Sequence, residues 1–574
     1  MKRAFLVSLG AALLVWSHAG PARACGGFFC NTPPPDGSLP IAQAAENVLF
    51  VMDRDPDTGG QRVQAHIQIL YTGPATEFSW IVPVTSVPTV TVGSDILFDR
   101  LEPPTRPSFQ YTFQMEGNCQ GTSGVGAGCG SASGAAATNG GFGDVADAGG
   151  GSVDVIARGS TGPYDYVIVR SEDGATLRTW LTTNNFYVSP DGARLVDEYV
   201  AGGFSFVALK LRVGQDTSSI RPIVLTMAAT EACLPLKLTA IASTPDLRIN
   251  VWVLADARAV PKDYSEITIN QAKLDWFGFG KNYDQLLKEA ANEADGKAFA
   301  VEYAMPAINS IPWFTVSPGA RTTLTNAVTP PVFVQALAGL GFQPTGAVLQ
   351  LLRKYIPLPA TLAARGVSEA MFYASISSYF SSDSASFAPF DSVAVAAAFD
   401  TEILIPLNSY RSAFDRSGRL TRLATFISPE EMTFDPLFVT NASLPDVAPQ
   451  HLAIAHVMCG DNGDPCAAPV RLQLEDGRLV NYRATGCKQY DRGDLDQLPA
   501  ADVAWQREAN GEGQIVVDNR PAITTALAAH NAAIPTPGDG GCACNFGGSS
   551  GLAVLLLAGG ALALSLRRHR RRSR

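Results

Sequence analysis

Two apolar segments at opposite ends of the chain place the strongest limits on how it folds and where it resides. Residues 1–24 begin with two basic residues, continue with an apolar run and end at Ala24, directly before Cys25. This order is typical of a secretory signal peptide, and the small residues Ala22 and Ala24 predict cleavage between Ala24 and Cys25. The alternatives are lipidation at Cys25, which Arg23 disfavours, and a buried first helix.

The second apolar segment, residues 551–566, has no charged residue and is followed by six arginines within residues 567–574. A helix of this length spans about 24 Å, and starting it at Phe546 extends it to about 31 Å, close to the thickness of a membrane core. The pattern predicts a transmembrane helix at 551–566 and a basic cytoplasmic tail at 567–574, which leaves residues 25 to about 545 outside the cytosol. A buried core helix and a basic nucleic-acid-binding tail are the alternatives.

The charge distribution argues against nucleic acid as a partner. The 574-residue chain has a net charge of −10, and its two ends contribute nine basic residues, so the part between them carries −19. Phosphate binding requires clustered positive charge, and the basic cluster of this sequence flanks the predicted membrane helix. We therefore expect no nucleic-acid partner.

The ten cysteines fit an exported protein. Eight of them precede the tail, an even number that is consistent with four disulfides in an oxidising compartment. None belongs to a C-x-x-C pair, so the usual spacing of zinc ribbons and thioredoxin-like sites is missing. The connectivity stays open, although short loops favour Cys119 with Cys129 and Cys459 with Cys466.

Hydrophobic periodicity predicts an α+β protein. Short strands separated by turns dominate residues 25–305 and predict a β-rich, antiparallel N-terminal domain. A helix at 284–295 and helical stretches within 332–380 lead into a mixed tract, so residues 306–534 are expected to form a mixed, partly helical α+β region. The predicted strands are Val48–Met52, Val63–Tyr71, Phe78–Val84, Tyr166–Arg170, Phe204–Val213, Ile223–Met227, Lys237–Ile241 and Leu247–Leu254.

Turns and low-complexity segments mark the remaining boundaries. Residues 53–60 are expected to form a hairpin loop, and residues 172–174 a turn. Residues 117–152 are rich in Gly, Ala and Ser, which cannot bury enough apolar area to offset their ordering entropy, so a flexible loop is expected there. Residues 535–550 contain Pro and Gly and form a linker to the tail.

Three segments carry a resemblance to a known family. They are Cys25-Gly26-Gly27-Phe28-Phe29-Cys30, Phe78-Ser79-Trp80-Ile81-Val82-Pro83, and Thr179-Trp180-Leu181. Together they resemble a bacterial family of secreted proteins, domain of unknown function 2330, and the similarity covers most of residues 25–450. The resemblance implies no reaction, ligand or catalytic residue.

The C-terminal segment carries a second resemblance. Gly541-Cys542-Ala543-Cys544, placed before the apolar run and the arginines, resembles the MYXO-CTERM sorting signal. The resemblance implies processing by an intramembrane sorting protease after signal peptidase has acted, and display at the cell surface, with Cys542 or Cys544 as the processing and anchoring point. A plain single-pass anchor with a juxtamembrane disulfide is the alternative.

Two Asp-rich loops are weak candidates for a calcium site. The first departs from the EF-hand pattern because its glycine falls one position late and because position twelve is Gln64 rather than a bidentate Glu. Carboxylates at a loop tip are usually only solvated, which is the alternative for both loops. The candidate ligands are Asp53, Asp55 and Asp57 in the first loop, and Asp461 and Asp464 in the second.

Linear patterns for catalysis are missing from the sequence. His451 and His456 are five residues apart, which places them on different faces of a helix or a strand, and neither belongs to H-E-x-x-H. His66 and His530 complete the set that a hydrolase could use outside the two ends, and no local partner pattern accompanies them. The G-x-S-x-G letters at 547–551 abut the predicted membrane helix, where a nucleophile elbow does not occur. We therefore assign no catalytic residue and expect no cofactor.

Aromatic side chains are candidates for a binding face, although core packing is the default use of an aromatic residue in a strand. The favoured function is that of an exported protein anchored in the cell envelope, non-enzymatic, with a structural or adhesive binding role. The alternatives are a secreted hydrolase whose site assembles only in three dimensions and a calcium-stabilised binding protein. The aromatic candidates are Phe28, Phe29, Trp80, Trp180, Phe186, Tyr187, Trp276, Phe277 and Phe279.

Overall fold

The computed structural model describes part of the chain, in five ranges. None of the helices in these ranges is long and apolar enough to span a membrane. The ranges are residues 42–72, 78–119, 153–212, 220–241 and 243–537. The predicted features outside them are the signal peptide 1–24 with its cleavage site at Ala24 and Cys25, residues 120–152 of the loop, most of the linker 535–550 with Cys542 and Cys544, the transmembrane helix 551–566 and the tail 567–574.

Strands dominate the first part of the described chain and recur after residue 418. Within the described ranges they are β1 (Ala42–Arg54), β2 (Gln61–Thr72), β3 (Ser79–Val84), β4 (Thr89–Val92), β5 (Ser108–Cys119), β6 (Asp154–Thr161), β7 (Tyr164–Arg170), β8 (Ser205–Leu211), β9 (Ile223–Ala228), β10 (Ala232–Cys233), β11 (Ser243–Ala255), β12 (Arg258–Pro261), β13 (Ser265–Ile269), β14 (Ala298–Pro306), β15 (Arg419–Ile427), β16 (Leu437–Asn441), β17 (Gln450–Gly463), β18 (Val470–Gln473), β19 (Leu479–Gly486), β20 (Gln489–Asp491), β21 (Ala501–Gln506) and β22 (Gln514–Asp518).

Helices concentrate between β14 and β15, where the sequence predicts them. Within the described ranges they are α1 (Ile96–Thr105), α2 (Gly174–Thr183), α3 (Pro190–Ala201), α4 (Leu236–Thr239), α5 (Tyr283–Asn292), α6 (Ala320–Thr325), α7 (Pro330–Gly339), α8 (Gly346–Tyr355), α9 (Ala360–Ala363), α10 (Glu369–Ala374), α11 (Ile376–Ser382), α12 (Ser392–Phe399), α13 (Ile405–Arg416) and α14 (Arg520–Ala533). The mixed α+β class is therefore confirmed.

The largest sheet has ten strands in the order β22-β21-β13-β14-β15-β11-β1-β2-β9-β4. Its first hairpin follows the prediction, since β1 and β2 are antiparallel, with Val48 opposite Ile67. Two pairs, β1 with β11 and β13 with β14, are parallel, so the expectation of a purely antiparallel N-terminal domain is wrong. Parallel pairing requires long crossover connections, which local turn signals do not reveal.

The predicted boundary between residues 305 and 306 does not separate two sheets. In the ten-stranded sheet, β15 lies between β14 and β11, and β21 and β22 extend the same sheet. In a second sheet, β5 pairs with β17. Segments from both sides of the boundary therefore build shared sheets.

The central strands of the ten-stranded sheet are buried on both faces. In β1, Val48 and Phe50 belong to one hydrophobic core, whereas Leu49 and Val51 belong to another. A strand that is covered on both faces has a continuous apolar run rather than an alternating one, as the sequence of β1 shows. The four-stranded sheet β3-β8-β7-β6 contributes to the first core, and helices α6 to α13 contribute to the second.

A five-stranded sheet, β20-β19-β18-β17-β5, contains both disulfides of the described residues. Its parallel strands β5 and β17 bring Cys119 to Cys459, and these two residues are bonded to each other. Cys466 is bonded to Cys487. The predicted pairs Cys119–Cys129 and Cys459–Cys466 are therefore wrong. Strand pairing between segments 340 residues apart decides the first bond, and loop length does not.

Cys233 differs from the other described cysteines because its thiol is free. Burial, followed by the negative charges of Asp435 and Glu231, raises the pKa of Cys233 to about 12. A thiol with such a pKa stays protonated and unreactive. The described residues thus hold two disulfides and one free thiol, whereas bridging of all eight cysteines was expected.

Predictions made from short segments were right for one helix and wrong for two other elements. Helix α5 confirms the helix predicted at 284–295. The predicted strand Lys237–Ile241 is wrong, because this segment contains α4, whose free Lys237 N–H donates to a carboxylate oxygen of Asp435 at 2.9 Å. The predicted turn at 172–174 is instead the start of α2, which Asp173 caps by accepting the N–H of Thr176.

Candidate binding site

The predicted calcium ligands of the first hairpin are engaged by the protein itself. Asp53 forms a two-pronged ion pair with Arg62, at 2.6 and 2.9 Å. The Oδ1 atom of Asp55 accepts the backbone N–H groups of Asp57 and Thr58, which is the hydrogen bonding of an Asx turn. Asp55 also lies 3.6 Å from Arg62, so the two carboxylates share this arginine and stabilise the hairpin.

The second predicted calcium loop is similar. The carboxylate of Asp464 accepts the backbone N–H of Cys466 at 2.9 Å, and the side chain of Asp461 lies outside what the structure describes. Among the described residues, no three His, Cys, Asp or Glu side chains are grouped closely enough to hold a metal ion. Neither loop gains support as a calcium site.

A cleft of about 190 Å³ lies where the ten-stranded and five-stranded sheets meet. We call it the polar cleft and define it by Phe109, Arg258, Glu266, Tyr283, Glu302 and His451, which are among the residues that line it. Two carboxylates and an imidazole in one concavity are groups that a hydrolase uses. Whether these three groups could take part in catalysis depends on the residues with which they form ion pairs and hydrogen bonds.

Both carboxylates of the polar cleft are neutralised by arginines. Glu266 accepts hydrogen bonds at 2.8 Å from Arg258 and from Arg507. The other oxygen of its carboxylate, Oε2, is buried without a hydrogen-bond partner. These hydrogen bonds hold the carboxylate of Glu266 in place.

Glu302 is paired with an arginine and also accepts a hydrogen bond from a tyrosine. Its carboxylate lies 2.8 Å from the Nε of Arg422, and both side chains are fully buried. The hydroxyl of Tyr283 donates to Glu302 at 2.9 Å. Burial first, and the charge of Glu302 second, raise the pKa of Tyr283 well above its usual range, so the phenol remains a donor. Tyr283, Glu302 and Arg422 thus form a buried network beside the cleft.

His451 is the least constrained titratable group of the polar cleft. Its ring stacks on Phe109 with centroids 5.1 Å apart, and its Nδ1 lies 3.0 Å from Oε2 of Glu475. An ionised carboxylate only accepts hydrogen bonds, so Nδ1 carries the hydrogen and Nε2 is the basic nitrogen. An imidazole oriented by a carboxylate is the base half of a catalytic triad. The hydrogen bonds of the described residues join no serine, threonine or cysteine to it.

The remaining histidines have structural surroundings. Burial lowers the pKa of His66 to about 4, and its ring meets Tyr410 edge-on. His530 is buried, with one ring nitrogen 2.5 Å from Asp494 and the other 2.8 Å from the carbonyl oxygen of Asn481. His456 lies 2.9 Å from Glu116 on the five-stranded sheet. These contacts position each ring without a nucleophile.

A second surface feature is a group of partly exposed rings beside the five-stranded sheet. We call it the aromatic shelf and define it as Tyr111, Phe113, Phe277, Phe279 and Tyr490. Tyr111 is at its centre, with ring centroids 5.1 to 5.5 Å from those of Phe113, Phe277 and Phe279. Phe277 and Tyr490 are 4.1 Å apart. The five rings form one continuous apolar surface.

Backbone geometry explains why Phe279 faces solvent. Its φ of 55° is left-handed, a conformation that a bulky side chain rarely adopts, and its side chain is 65% exposed. The next residue, Gly280, is also left-handed, and a Cβ there would lie 2.2 Å from Phe109. This close approach buries Trp276 edge-on against Phe109 and turns Phe279 outward. Strained residues of this kind are concentrated at functional sites.

The aromatic shelf and the polar cleft are connected through β5. Phe109, Tyr111 and Phe113 are alternate residues of this strand, so they lie on the same face. Phe109 lines the cleft, whereas Tyr111 and Phe113 belong to the shelf. The shelf therefore extends from the edge of the cleft along an outer strand of the sheet.

The sequence identified part of the shelf and missed the rest. Phe277 and Phe279 were aromatic candidates, but Trp276 is buried. Tyr111, Phe113 and Tyr490 were missed, although the alternation F-x-Y-x-F-x-M in β5 is the signal that could have found the first two. Of the other candidates, Trp80, Trp180, Phe186 and Tyr187 pack in or against the cores, and Phe28 and Phe29 lie outside the described residues.

Comparison with known proteins gives one match. A family model described as uncharacterized proteins conserved in bacteria, DUF2330, matches residues 22–325. No curated protein and no solved structure matches the chain. The matched range is more than half of the 574 residues and includes four of the five shelf residues, with Tyr490 outside it. The resemblance in the first part of the sequence is therefore confirmed, and the chain belongs to the bacterial DUF2330 family.

Proposed function

We propose that this protein is exported, anchored in the cell envelope by its C-terminal tail, and acts there as a non-enzymatic binding protein. The surface that it uses for binding is the aromatic shelf. The tail resembling a MYXO-CTERM signal is processed at Cys542 or Cys544 and displays the protein at the cell surface.

The disulfide between Cys119 and Cys459 is the observation that carries this proposal. Cytosolic thiols are kept reduced, so a disulfide framework is expected in a protein that folds in an oxidising compartment. Both disulfides of the described residues lie in or next to the five-stranded sheet, whose edge strand β5 contributes to the shelf. The predicted signal peptide supports the same compartment.

The electrostatics of the polar cleft support a non-enzymatic role. A general acid or base must be able to contact the substrate and exchange its proton. Glu266 and Glu302 are instead buried, with arginines 2.8 Å away, so neither carboxylate is free to contact a substrate.

Export is tested with intact cells and external protease. We expect the protease to remove residues between Cys25 and the tail while a cytosolic marker stays intact, and mass spectrometry to find an N-terminus at Cys25. Alkylation of the denatured chain without reduction should label Cys233 and leave Cys119, Cys459, Cys466 and Cys487 unlabelled. Recovery of the uncleaved chain in the soluble lysate, with these four thiols labelled, would refute the proposal.

A second candidate function is hydrolysis, which the orientation of His451 by Glu475 favours. The purified full chain is assayed with chromogenic esters and glycosides, together with His451→Asn and the control His456→Asn. On the binding proposal, none of the three turns over substrate faster than buffer. Turnover that disappears only in His451→Asn would establish the enzyme instead.

A further inference from the structure

We propose that the aromatic shelf binds neutral polysaccharide, with a sugar ring packed flat on the exposed face of Phe279. This inference rests on the proposed function, because it names the ligand class of the same surface. The ring of Phe279 is stacked on that of Tyr111, with centroids 5.5 Å apart and an interplanar angle of 29°, so Tyr111 supports it from behind. Phe113 and Phe277 meet Tyr111 edge-on, at interplanar angles of 84° and 71°, and hold it in place.

Sugar rings are suited to such a platform because one face of a pyranose consists of C–H groups. These hydrogens are slightly positive, and the face of an aromatic ring is slightly negative. The contact removes apolar area from water while the sugar hydroxyls at the rim stay hydrated. The outward, left-handed backbone of Phe279 presents its ring for such a contact.

Polar groups at the edge of the shelf match the hydroxyls of a sugar. The hydroxyl groups of Tyr111 and Tyr490 make no hydrogen bond to another described residue, so each can donate to and accept from a ligand. Asp275 lies next to the shelf, and its Oδ2 is 2.9 Å from Nζ of Lys281, which is largely exposed. A Tyr hydroxyl and an Asp–Lys pair can each bond to a sugar hydroxyl.

The charge around the shelf selects a neutral ligand. Lys281 is paired with Asp275, and the chain between its two ends carries −19, so an anionic polymer or an anionic membrane is repelled over distance. A neutral glycan has no electrostatic penalty.

The size of the shelf argues against a second copy of this chain as its occupant. A fully buried aromatic side chain covers roughly 150–250 Å², and of the five rings only Phe279 has more than a third of its surface exposed. The area on offer is therefore below the roughly 800 Å² per partner of a stable interface. A row of sugar rings needs only this smaller area.

Affinity electrophoresis of the full chain in neutral detergent tests the proposal. Native gels contain hydroxyethylcellulose, glycol chitin or soluble starch, and retardation is measured against polymer concentration. We expect retardation by at least one polymer and an affinity about tenfold lower for Phe279→Ala and for Tyr111→Ala, the change that ~1.4 kcal/mol of lost stacking represents. Phe279→Trp should bind as well as the parent protein.

Ile308→Ala is the matched control, because Ile308 is 69% exposed and lies outside the shelf. It should bind like the parent. Absence of retardation by all three polymers, or retardation that Phe279→Ala leaves unchanged, would overturn the proposal. So would flotation of the chain with phosphatidylglycerol vesicles through a Phe279-dependent contact, or a concentration-dependent dimer that Phe279→Ala dissociates.

The protease experiment on intact cells separates the two levels of inference. A displayed protein that fails to bind polysaccharide would refute the ligand and leave the proposed envelope location intact. A protein that binds polysaccharide in the gel but remains in the cytosol would refute the location and leave the shelf as a sugar site.

Discussion

The ten-stranded sheet and the five-stranded sheet differ in what covers them. The central strands of the first are buried on both faces, and its described strands contain no disulfide. In the second, β17 alternates between buried and partly exposed residues, so one face is open. Both disulfides lie in or next to this sheet, and the aromatic shelf lies at its β5 edge, against the core that covers its other face. Apolar burial thus stabilises the centre of the first sheet on both faces and the second sheet on one face, where disulfides add covalent links.

The largest expected effect lies in the interior of the ten-stranded sheet. Arg422→Met should destabilise the protein by about 3–5 kcal/mol, because it removes the nearer of the two arginines that face the buried carboxylate of Glu302 and leaves only Arg248, 3.6 Å away. Chemical denaturation measures the loss. The control is Arg419→Met in the same strand, whose partly exposed ion pair with Asp446 should cost about 1 kcal/mol or less. Equal losses in the two variants would show that burial of the network is unimportant.

The next effect should be confined to the five-stranded sheet. Replacing both Cys119 and Cys459 with Ser should cost about 2–5 kcal/mol, because the bond closes a very long loop in the unfolded chain. Hydrogen exchange measured by mass spectrometry should show lost protection in 450–463 and unchanged protection in 247–254. The matched double replacement of Cys466 and Cys487, which are 21 residues apart, should cost less. Equal loss of hydrogen-exchange protection in the two segments would show that the disulfide does not stabilise the five-stranded sheet selectively.

Glu46 provides a pH-dependent test of the ten-stranded sheet. Burial raises the pKa of Glu46 from 4.5 to about 7, and hydrogen bonds from Gln43 and Thr239 offset this only in part. The folded state therefore holds the proton more tightly than the unfolded chain, and stability falls as the pH rises from about 4.5 to about 7. Glu46→Gln should stabilise the protein by about 1–3 kcal/mol at pH 8 and leave it unchanged at pH 4.

Thermal unfolding at the two pH values measures this difference. Gln68→Glu is a useful comparison, because Gln68 lies on the neighbouring strand β2 and donates to Asp95. It adds a carboxylate beside another one and should destabilise more at pH 8 than at pH 4. Equal stabilisation by Glu46→Gln at both pH values would contradict the ionisation argument.

The smallest expected effect on stability is that of Phe279→Ala. Because the side chain is mostly exposed, the free energy of unfolding should change by less than about 0.5 kcal/mol, as for most surface substitutions. Chemical denaturation of the variant checks this. A loss above 2 kcal/mol would mean that the ring is part of the core of the five-stranded sheet. The aromatic shelf would then no longer distinguish the two sheets.

Local signals account for the parts of the fold that were predicted. The β1–β2 hairpin and α5 depend on alternation, turn residues and a helical apolar face within one short segment. In the segment 276–279, local signals fail to predict burial. Trp276 and Phe279 are similar in chemistry, but Trp276 is fully buried and Phe279 is exposed. Their difference depends on Phe109, which is more than 160 residues away in the sequence and packs against Trp276.

By itself, the sequence determined the family, the mixed α+β class, the first hairpin and the helical tract, because each depends on residues that are close together in the chain. Tertiary structure alone decided the disulfide partners, the neutralisation of Glu266 and Glu302 by arginines, and the assembly of the aromatic shelf. Each of these joins segments that are far apart in sequence. Their free energy depends on strand pairing and burial in the whole fold, which no local pattern encodes.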